Sequence, residues 1–244
     1  MVNKNLSLVF PERKDLDKLA GQILNNIARS LTEILCAPFF KKAHWQARFV
    51  WEGLENLDTA SKNGQGVMLL NIHAGNYELM GMALIRRGYP LVGVVRSTDN
   101  PLFKLLDEIR LSAGGELINV KDDDMYREAL KTLAENKIIF TMVDTGALES
   151  RHLMIKILGR QVPVATGWLT LAQRAGCAVL PATTHRVKDK IIANFGQPFF
   201  ITKENRDAVI KQTAEFYDKF LTAHPEEWAI FLNSYETKRM VNGN

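Results

Sequence analysis

Apolar residues recur at intervals of three and four through the first part of the chain: Leu16, Leu19, Ile23, Ile27, Leu31 and Ile34. That spacing lines one face of an α-helix. Pro11 suits a first helical position, and Pro38 breaks the stripe. A second stretch sets Phe39, Phe40, Trp45, Phe49, Val50 and Trp51 among Lys41, Lys42 and Arg48, and residues 11–60 as a whole read as helical. From residue 67 the pattern changes. Strand-like apolar runs fall at 67–72, 91–95, 116–120, 138–143 and 177–184, with helix-like runs at 77–87, 101–112, 124–135 and 166–175 between most of them. Such alternation predicts an α/β fold with a mostly parallel central sheet flanked by helices. The run 190–195 predicts an added antiparallel strand, 203–223 a long helix, and Pro225 the start of a last one. No linker, repeat or low-complexity tract intervenes. The expectation is one domain over 1–244, with an N-terminal helical segment at 1–60 and the α/β core at 61–244.

Composition narrows the class. The 244 residues are 46% hydrophobic and 24% charged, an ordinary globular balance with length enough for one large core. No apolar run approaches the ~18 residues of a membrane span, and Met1 to Ser7 lacks the apolar core of a signal peptide. Cys36 and Cys177 lie far apart and imply no disulfide framework, which fits a reducing cytosol. The net charge of +4 is compatible with membrane phosphates, acidic carrier proteins or nucleic acid. Without zinc-finger spacing, an aromatic RNA-binding signature or a long basic run, nucleic acid ranks low. Aromatic and basic residues interleaved over 39–51 suit either a membrane surface or a helix packed on the domain.

The densest chemistry is His73-Ala74-Gly75-Asn76-Tyr77-Glu78, between the strand-like run 67–72 and the helix-like run 77–87. On an ideal helix five positions place two side chains about 140° apart. They converge if His73 ends the strand and Glu78 lies in the first helical turn, a break that Gly75 and Asn76 permit. A histidine oriented by a carboxylate takes a proton from a hydroxyl near neutral pH, so the pair points to general-base chemistry without a metal or a covalent nucleophile. The plainer alternative is that Glu78 complements the helix dipole and His73 is a loop residue.

Other polar residues stand at strand ends. Asp144 follows the run 138–143, Arg96 follows 91–95, and Arg110 lies on the next helix and must reach back. In open α/β sheets ligands bind beyond the carboxyl ends of parallel strands, so these residues can share a crevice with His73. Singly, each arginine reads better as a surface ion pair and Asp144 as a turn or cap residue; together, three strand ends bearing polar residues tip the balance toward a site. The chain lacks a nucleophile elbow, a phosphate-binding loop, a dinucleotide fingerprint and metal-ligand histidine spacing. Asp122-Asp123-Asp124 reads as a solvated helix N-terminus.

Taken in order, these features resemble the lysophospholipid acyltransferase superfamily in its branch of bacterial lipid A late acyltransferases, the lauroyl and myristoyl transferases. The resemblance runs across most of the chain. Phe10-Pro11 opens it, and Gly64-Gln65-Gly66-Val67 leads into His73 to Glu78, the His-x4-Asp/Glu box. Val95-Arg96 with Asn100-Pro101 follows, then Ile109-Arg110 with Gly114, then Asp144. Gly159 to Pro163, Ala175 to Pro181 and Pro225-Glu226-Glu227-Trp228 complete the series. The same box occurs in phosphatidylinositol mannoside and glycerolipid acyltransferases. Two departures stand out: members typically begin with a transmembrane helix, and Thr145 stands where a Gln is usual, opening a segment to Met154 that aligns with nothing in the family.

The resemblance implies an acyltransferase of glycerolipid-acyltransferase-like fold. It would move a fatty acyl chain from an acyl-carrier-protein or coenzyme A thioester, a co-substrate rather than a cofactor, to a hydroxyl of a membrane glycolipid or phospholipid resembling a lipid A precursor. His73 would be the base and Glu78 would orient it. Arg110 would stabilise developing charge or hold a phosphate, Asp144 would position Arg110 or the acceptor, and Arg96 would meet substrate phosphate. The implied location is cytoplasmic and peripheral, on the inner face of the plasma membrane. A thioesterase and a non-catalytic lipid-binding module are the alternatives on the same residues.

Overall fold

The structure is a computed structural model that describes residues 1–145 and 152–242. Its N-terminal region departs from the uniformly helical expectation. A short helix α1 (Val2–Val9) comes first, and Pro11 lies in the turn before α2 (Leu16–Cys36). Ala37–Phe39, containing Pro38, forms a 3₁₀ turn. Helix α3 (Lys42–Arg48) then runs directly into strand β1 (Phe49–Glu52), with α4 (Leu54–Ser61) behind it. Phe-Val-Trp-Glu is β-prone, and pairing in parallel with Ile191–Asn194 settles its state where local periodicity could not. The aromatic stretch is divided by this arrangement. Phe49 is buried and stacks on Trp51, whereas Phe39 stays 83% exposed.

From residue 67 the expected alternation is present. Strands β2 (Val67–Asn71), β3 (Leu91–Val95), β4 (Glu116–Asn119) and β5 (Ile138–Met142) alternate with α5 (Tyr77–Arg86), α6 (Pro101–Ser112) and α7 (Met125–Ala134). An unanticipated hairpin of β6 (His152–Ile157) and β7 (Arg160–Ala165) precedes α8 (Gly167–Ala175). Strands β8 (Ala178–Val187), β9 (Lys190–Phe195) and β10 (Phe199–Phe200) follow, then α9 (Arg206–Ala223). In place of a helix at Pro225, two 3₁₀ turns (Pro225–Glu227 and Ala229–Leu232) lead to α10 (Ser234–Asn242).

The main sheet runs β1-β9-β8-β2-β5-β3-β4, with β10 beside β8. Parallel pairing joins β8, β2, β5, β3 and β4, while β9 is antiparallel to β8, as expected of 190–195. Every residue of β2 is buried, as befits a central parallel strand covered on both faces. One face packs on α1, α2, α7, α8 and α9, the other on α4 and α5. Strand β5 separates β2 from β3, so the loops that end β2 and β5 are spatial neighbours.

Candidate functional site

The backbone N–H of Val143 donates to the carbonyl of Asn71 at 2.9 Å, carrying the β2–β5 register to the edge of the sheet. One residue beyond each strand extension, His73 and Asp144 meet. The imidazole Nδ1 lies 2.7 Å from Asp144 Oδ1, and the His73 backbone N–H donates to Oδ2 at 2.9 Å. The Trp228 indole N–H also donates to Oδ2, at 2.9 Å. Asp144 is 1% exposed. Burial alone would raise its pKa, but the adjacent imidazole and these N–H donors hold it below the ordinary carboxylate value. Burial likewise pulls His73 down. The charge and hydrogen bond of Asp144, helped by Glu78 and opposed by Arg110, outweigh that and leave it above its ordinary value. With Nδ1–H directed at a carboxylate, Nε2 keeps the basic lone pair.

Local sequence explains how His73 reaches this position. Gly75 turns the chain at φ +65°, and a Cβ there would come within 2.0 Å of the Thr184 carbonyl oxygen. Asn76 caps α5 by accepting from the Leu79 N–H at 3.1 Å, and its amide donates to Glu33 of α2 at 2.9 Å. The Tyr77 ring stands edge-on to the imidazole, with centroids 5.3 Å apart.

Glu78 has a different partner from the one expected. It lies in the first turn of α5, and its carboxylate grips the guanidinium of Arg110, which reaches back from α6. The Nε–Oε2 distance is 2.9 Å, and the other carboxylate oxygen meets Nη2. Arg110 also bonds Asp107. The forked guanidinium matches a carboxylate in a bidentate manner, so Glu78 influences the imidazole through its field while Asp144 holds Nδ1. Asp144 in turn orients the histidine rather than Arg110. The structure brings His73, Glu78, Arg110 and Asp144 close together, but the two carboxylates exchange the partners expected of them.

These groups line one end of a cavity of about 650 Å³, shared by His73, Glu78, Arg110, Arg96 and Glu227. Asn26, Ser30, Asn76, Thr98, Asp107 and Glu116 add further polar groups to its lining, and most of the other lining residues are apolar. Gly81, Met82 and Ile85 of α5 face Leu91 and Gly93 of β3, Leu102 and Leu106 of α6, and Phe140, while Ile27, Leu31 and Ile34 of α2 complete the wall. Among the described residues, no group of three or more acidic, histidine or cysteine side chains could hold a metal ion. Asp124 pairs with Arg127 and Asp122 accepts from Asn119.

Sequence reasoning missed two buried acids. Glu227 lines the cavity and accepts from the Arg186 N–H at 2.8 Å, and burial pushes its carboxyl up to about 7. Glu33 accepts from the Arg186 side chain at 3.0 and 2.6 Å. Glu33 lies in no motif, and Glu227 falls within the Pro225–Trp228 block, where only the proline and the tryptophan are specified. Residues 146–151, in the segment that departs from the family pattern, lie outside the described residues.

Among the described residues, no helix is long and apolar enough to cross a membrane. A phosphatidylinositol mannoside acyltransferase of Mycobacterium tuberculosis is 25% identical over 240 residues, covering 93% of this chain and 74% of that protein. A lipid A biosynthesis palmitoleoyltransferase of Escherichia coli is 29% identical over 108 residues, covering 43% of this chain and 34% of that one. Among solved structures, the 1-acyl-sn-glycerophosphate acyltransferase of Thermotoga maritima aligns with 93% of this chain and 96% of that chain, at 17% identity and a TM-score of 0.42. The family description "Bacterial lipid A biosynthesis acyltransferase" matches residues 1–237, and the chain belongs to that family of acyltransferases.

Proposed function

We propose that the protein transfers a fatty acyl chain from an acyl-carrier-protein or coenzyme A thioester to a hydroxyl of a membrane glycolipid or phospholipid. The observation that carries this reading is the His73–Asp144 pair, whose imidazole opens onto a cavity with extensive apolar walls. A fatty chain fits such walls, and a pocket of this volume is of ligand size.

In this mechanism His73 Nε2 accepts the proton of the acceptor hydroxyl as its oxygen bonds to the thioester carbonyl carbon. Asp144 keeps the ring in the productive tautomer and stabilises the imidazolium. The tetrahedral intermediate collapses, the carbon–sulfur bond breaks, and the departing thiolate recovers the proton from His73. The acceptor oxygen takes the place of an enzyme nucleophile, so no acyl-enzyme forms. Glu78 and Asp107 engage three of the five N–H donors of Arg110. The others can turn toward an oxyanion or a phosphate, with Glu78 as the group that fixes the guanidinium. Arg96, also on the cavity wall, would meet an acceptor phosphate.

The protein would work as a peripheral enzyme at the cytoplasmic face of the membrane. The exposed Phe39, Leu102, Phe103 and Leu105, with Lys41, Lys42 and Lys104, suit contact with an anionic lipid surface; Leu102 and Phe103 also line the cavity. Relatives named for lipid A and phosphatidylinositol mannoside support a glycolipid acceptor.

Acyl transfer from a labelled acyl-carrier-protein donor to a total lipid extract tests the proposal, with His73→Ala as control. Labelled lipid is expected only with the parent chain. Free fatty acid as the sole product would replace the transferase reading with a thioesterase. No turnover with this donor or with acyl-coenzyme A would refute both.

A further inference from the structure

The Pro225–Trp228 segment lies more than two hundred positions along the chain from the start of α1, yet it is built into the loop that carries His73. The Gly75 N–H donates to the Glu227 carbonyl at 2.9 Å, and the Ala229 N–H donates to the His73 carbonyl at 2.8 Å. Ala74 and Trp228 thus form an isolated antiparallel bridge. Trp228 is fully buried, edge-on to Phe231, with its indole N–H on Asp144 Oδ2. Oδ2 therefore has two donors, Trp228 and the His73 amide, while Oδ1 faces Nδ1.

We infer that Trp228 is a positioning residue for the acyl-transfer step: its indole N–H fixes the carboxylate of Asp144 so that the other oxygen holds the His73 imidazole. This deepens the proposed function and rests on His73 being the base. A carboxylate free to rotate would give the imidazole several orientations, and two N–H donors on one oxygen remove that freedom. The indole also shares the negative charge of Asp144, one of the influences that lower its pKa.

Trp228→Phe keeps an aromatic ring in the core and removes the donor together with part of the indole volume. The expected result is a fall in kcat of about ten- to a hundredfold, the range for a hydrogen bond to a charged group. KM for donor and acceptor should stay within about twofold, because the residue meets Asp144 rather than substrate. The acid limb of kcat should move to higher pH, since a carboxylate with one fewer donor attracts the imidazolium proton more strongly. A folded variant with parental kcat and an unmoved limb overturns the inference.

A second measurement does not depend on that variant folding. In the parent chain labelled with ¹⁵N-tryptophan, four indole N–H resonances are expected, and Phe substitutions at Trp45, Trp51 and Trp168 assign the fourth by elimination. The Trp228 resonance should shift with pH at the midpoint of the activity limb, and that shift should vanish in His73→Ala. A resonance flat across the limb overturns the inference. Full turnover by His73→Ala would instead refute the underlying base assignment, so the two failures are distinguishable.

Discussion

Gly81 offers a sharp test of whether the cavity holds the acyl chain. It stands on α5 one turn beyond Glu78 and lines the apolar wall. A Cβ there would meet Leu91 Cδ2 at 3.7 Å and the Phe140 ring at 3.9 Å, ordinary contact distances. A small side chain is therefore accommodated and a larger one projects among the cavity walls. From Glu78 to Ile85 the helix advances about 10 Å, and from Gly81 to Ile85 about 6 Å, at ~1.5 Å per residue. An extended hydrocarbon with bonds of ~1.5 Å advances ~1.3 Å per carbon, so closing the wall at Gly81 displaces about four methylenes. Each buried methylene contributes ~0.8 kcal/mol, close to fourfold in affinity, and four give about 200-fold. Gly81→Leu should thus reduce kcat/KM for a long-chain donor by about 200-fold relative to one four carbons shorter. Gly81→Ala is the control. It removes a helix-interior glycine and should stabilise the fold by ~0.5–1 kcal/mol, with little change in chain preference. Competition between two donors of different length in one reaction, read by product mass, gives the ratio directly. An equal loss for both donors in Gly81→Leu, or none for either, would refute the placement of the chain along α5.

Asp144→Asn should lower kcat by about 10²–10⁴-fold, the range associated with losing effective general-base assistance. Because Asp144 raises the His73 pKa, the limb where rate climbs with pH should shift acidward in this variant; a pH profile of kcat superimposable on the parental one would contradict the pairing. Glu78→Ala strips Arg110 of its main partner and should destabilise by ~1–3 kcal/mol, since both side chains are only partly exposed. Adding Arg110→Met should recover part of that loss in urea titrations, and simple additivity would speak against the ion pair. Glu227→Gln reads the buried acid. Its folded pKa of about 7 lies above the ordinary 4.5, so the folded chain holds a proton that the unfolded chain loses as pH rises through that interval. Parental stability should fall across the interval by at most ~3 kcal/mol. The Gln variant should therefore match the parent at pH 4 and exceed it at pH 8, whereas an offset independent of pH would refute the assignment.

What the sequence disclosed follows from where each signal resides. Strands β2, β3 and β5 were legible because parallel strands covered on both faces are continuous apolar runs. Helix α6 was legible to the residue because Asn100 caps it and Pro101 opens it, local signals independent of the rest of the fold. Strand β1 was not, since its four residues are shorter than either periodicity needs and its state depends on β9, more than a hundred positions later. The β6–β7 hairpin escaped for a related reason: His152, Leu153 and Met154 all remain exposed, so alternation in β6 is confined to Ile155, Lys156 and Ile157.

The site shows the same division between residue identity and residue partnership. His73, Glu78, Arg110 and Asp144 could be named from their positions at strand and helix ends, but which carboxylate serves which cation is a property of sheet order. Had β3 lain beside β2, the nearest strand end to His73 would have carried Arg96. Because β5 occupies that place, a carboxylate 71 positions away closes on the imidazole. Glu78, only five positions from His73, is carried by the first turn of α5 to the cavity wall that α6 shares. Gly75 makes the division possible, since only a residue without a side chain can turn the loop against the Thr184 carbonyl. One histidine thereby has a buried anion at Nδ1 and shares its cavity with an arginine–glutamate pair. That is the charge arrangement the proposed transfer requires, in which a proton leaves an alcohol and negative charge appears on a carbonyl oxygen nearby.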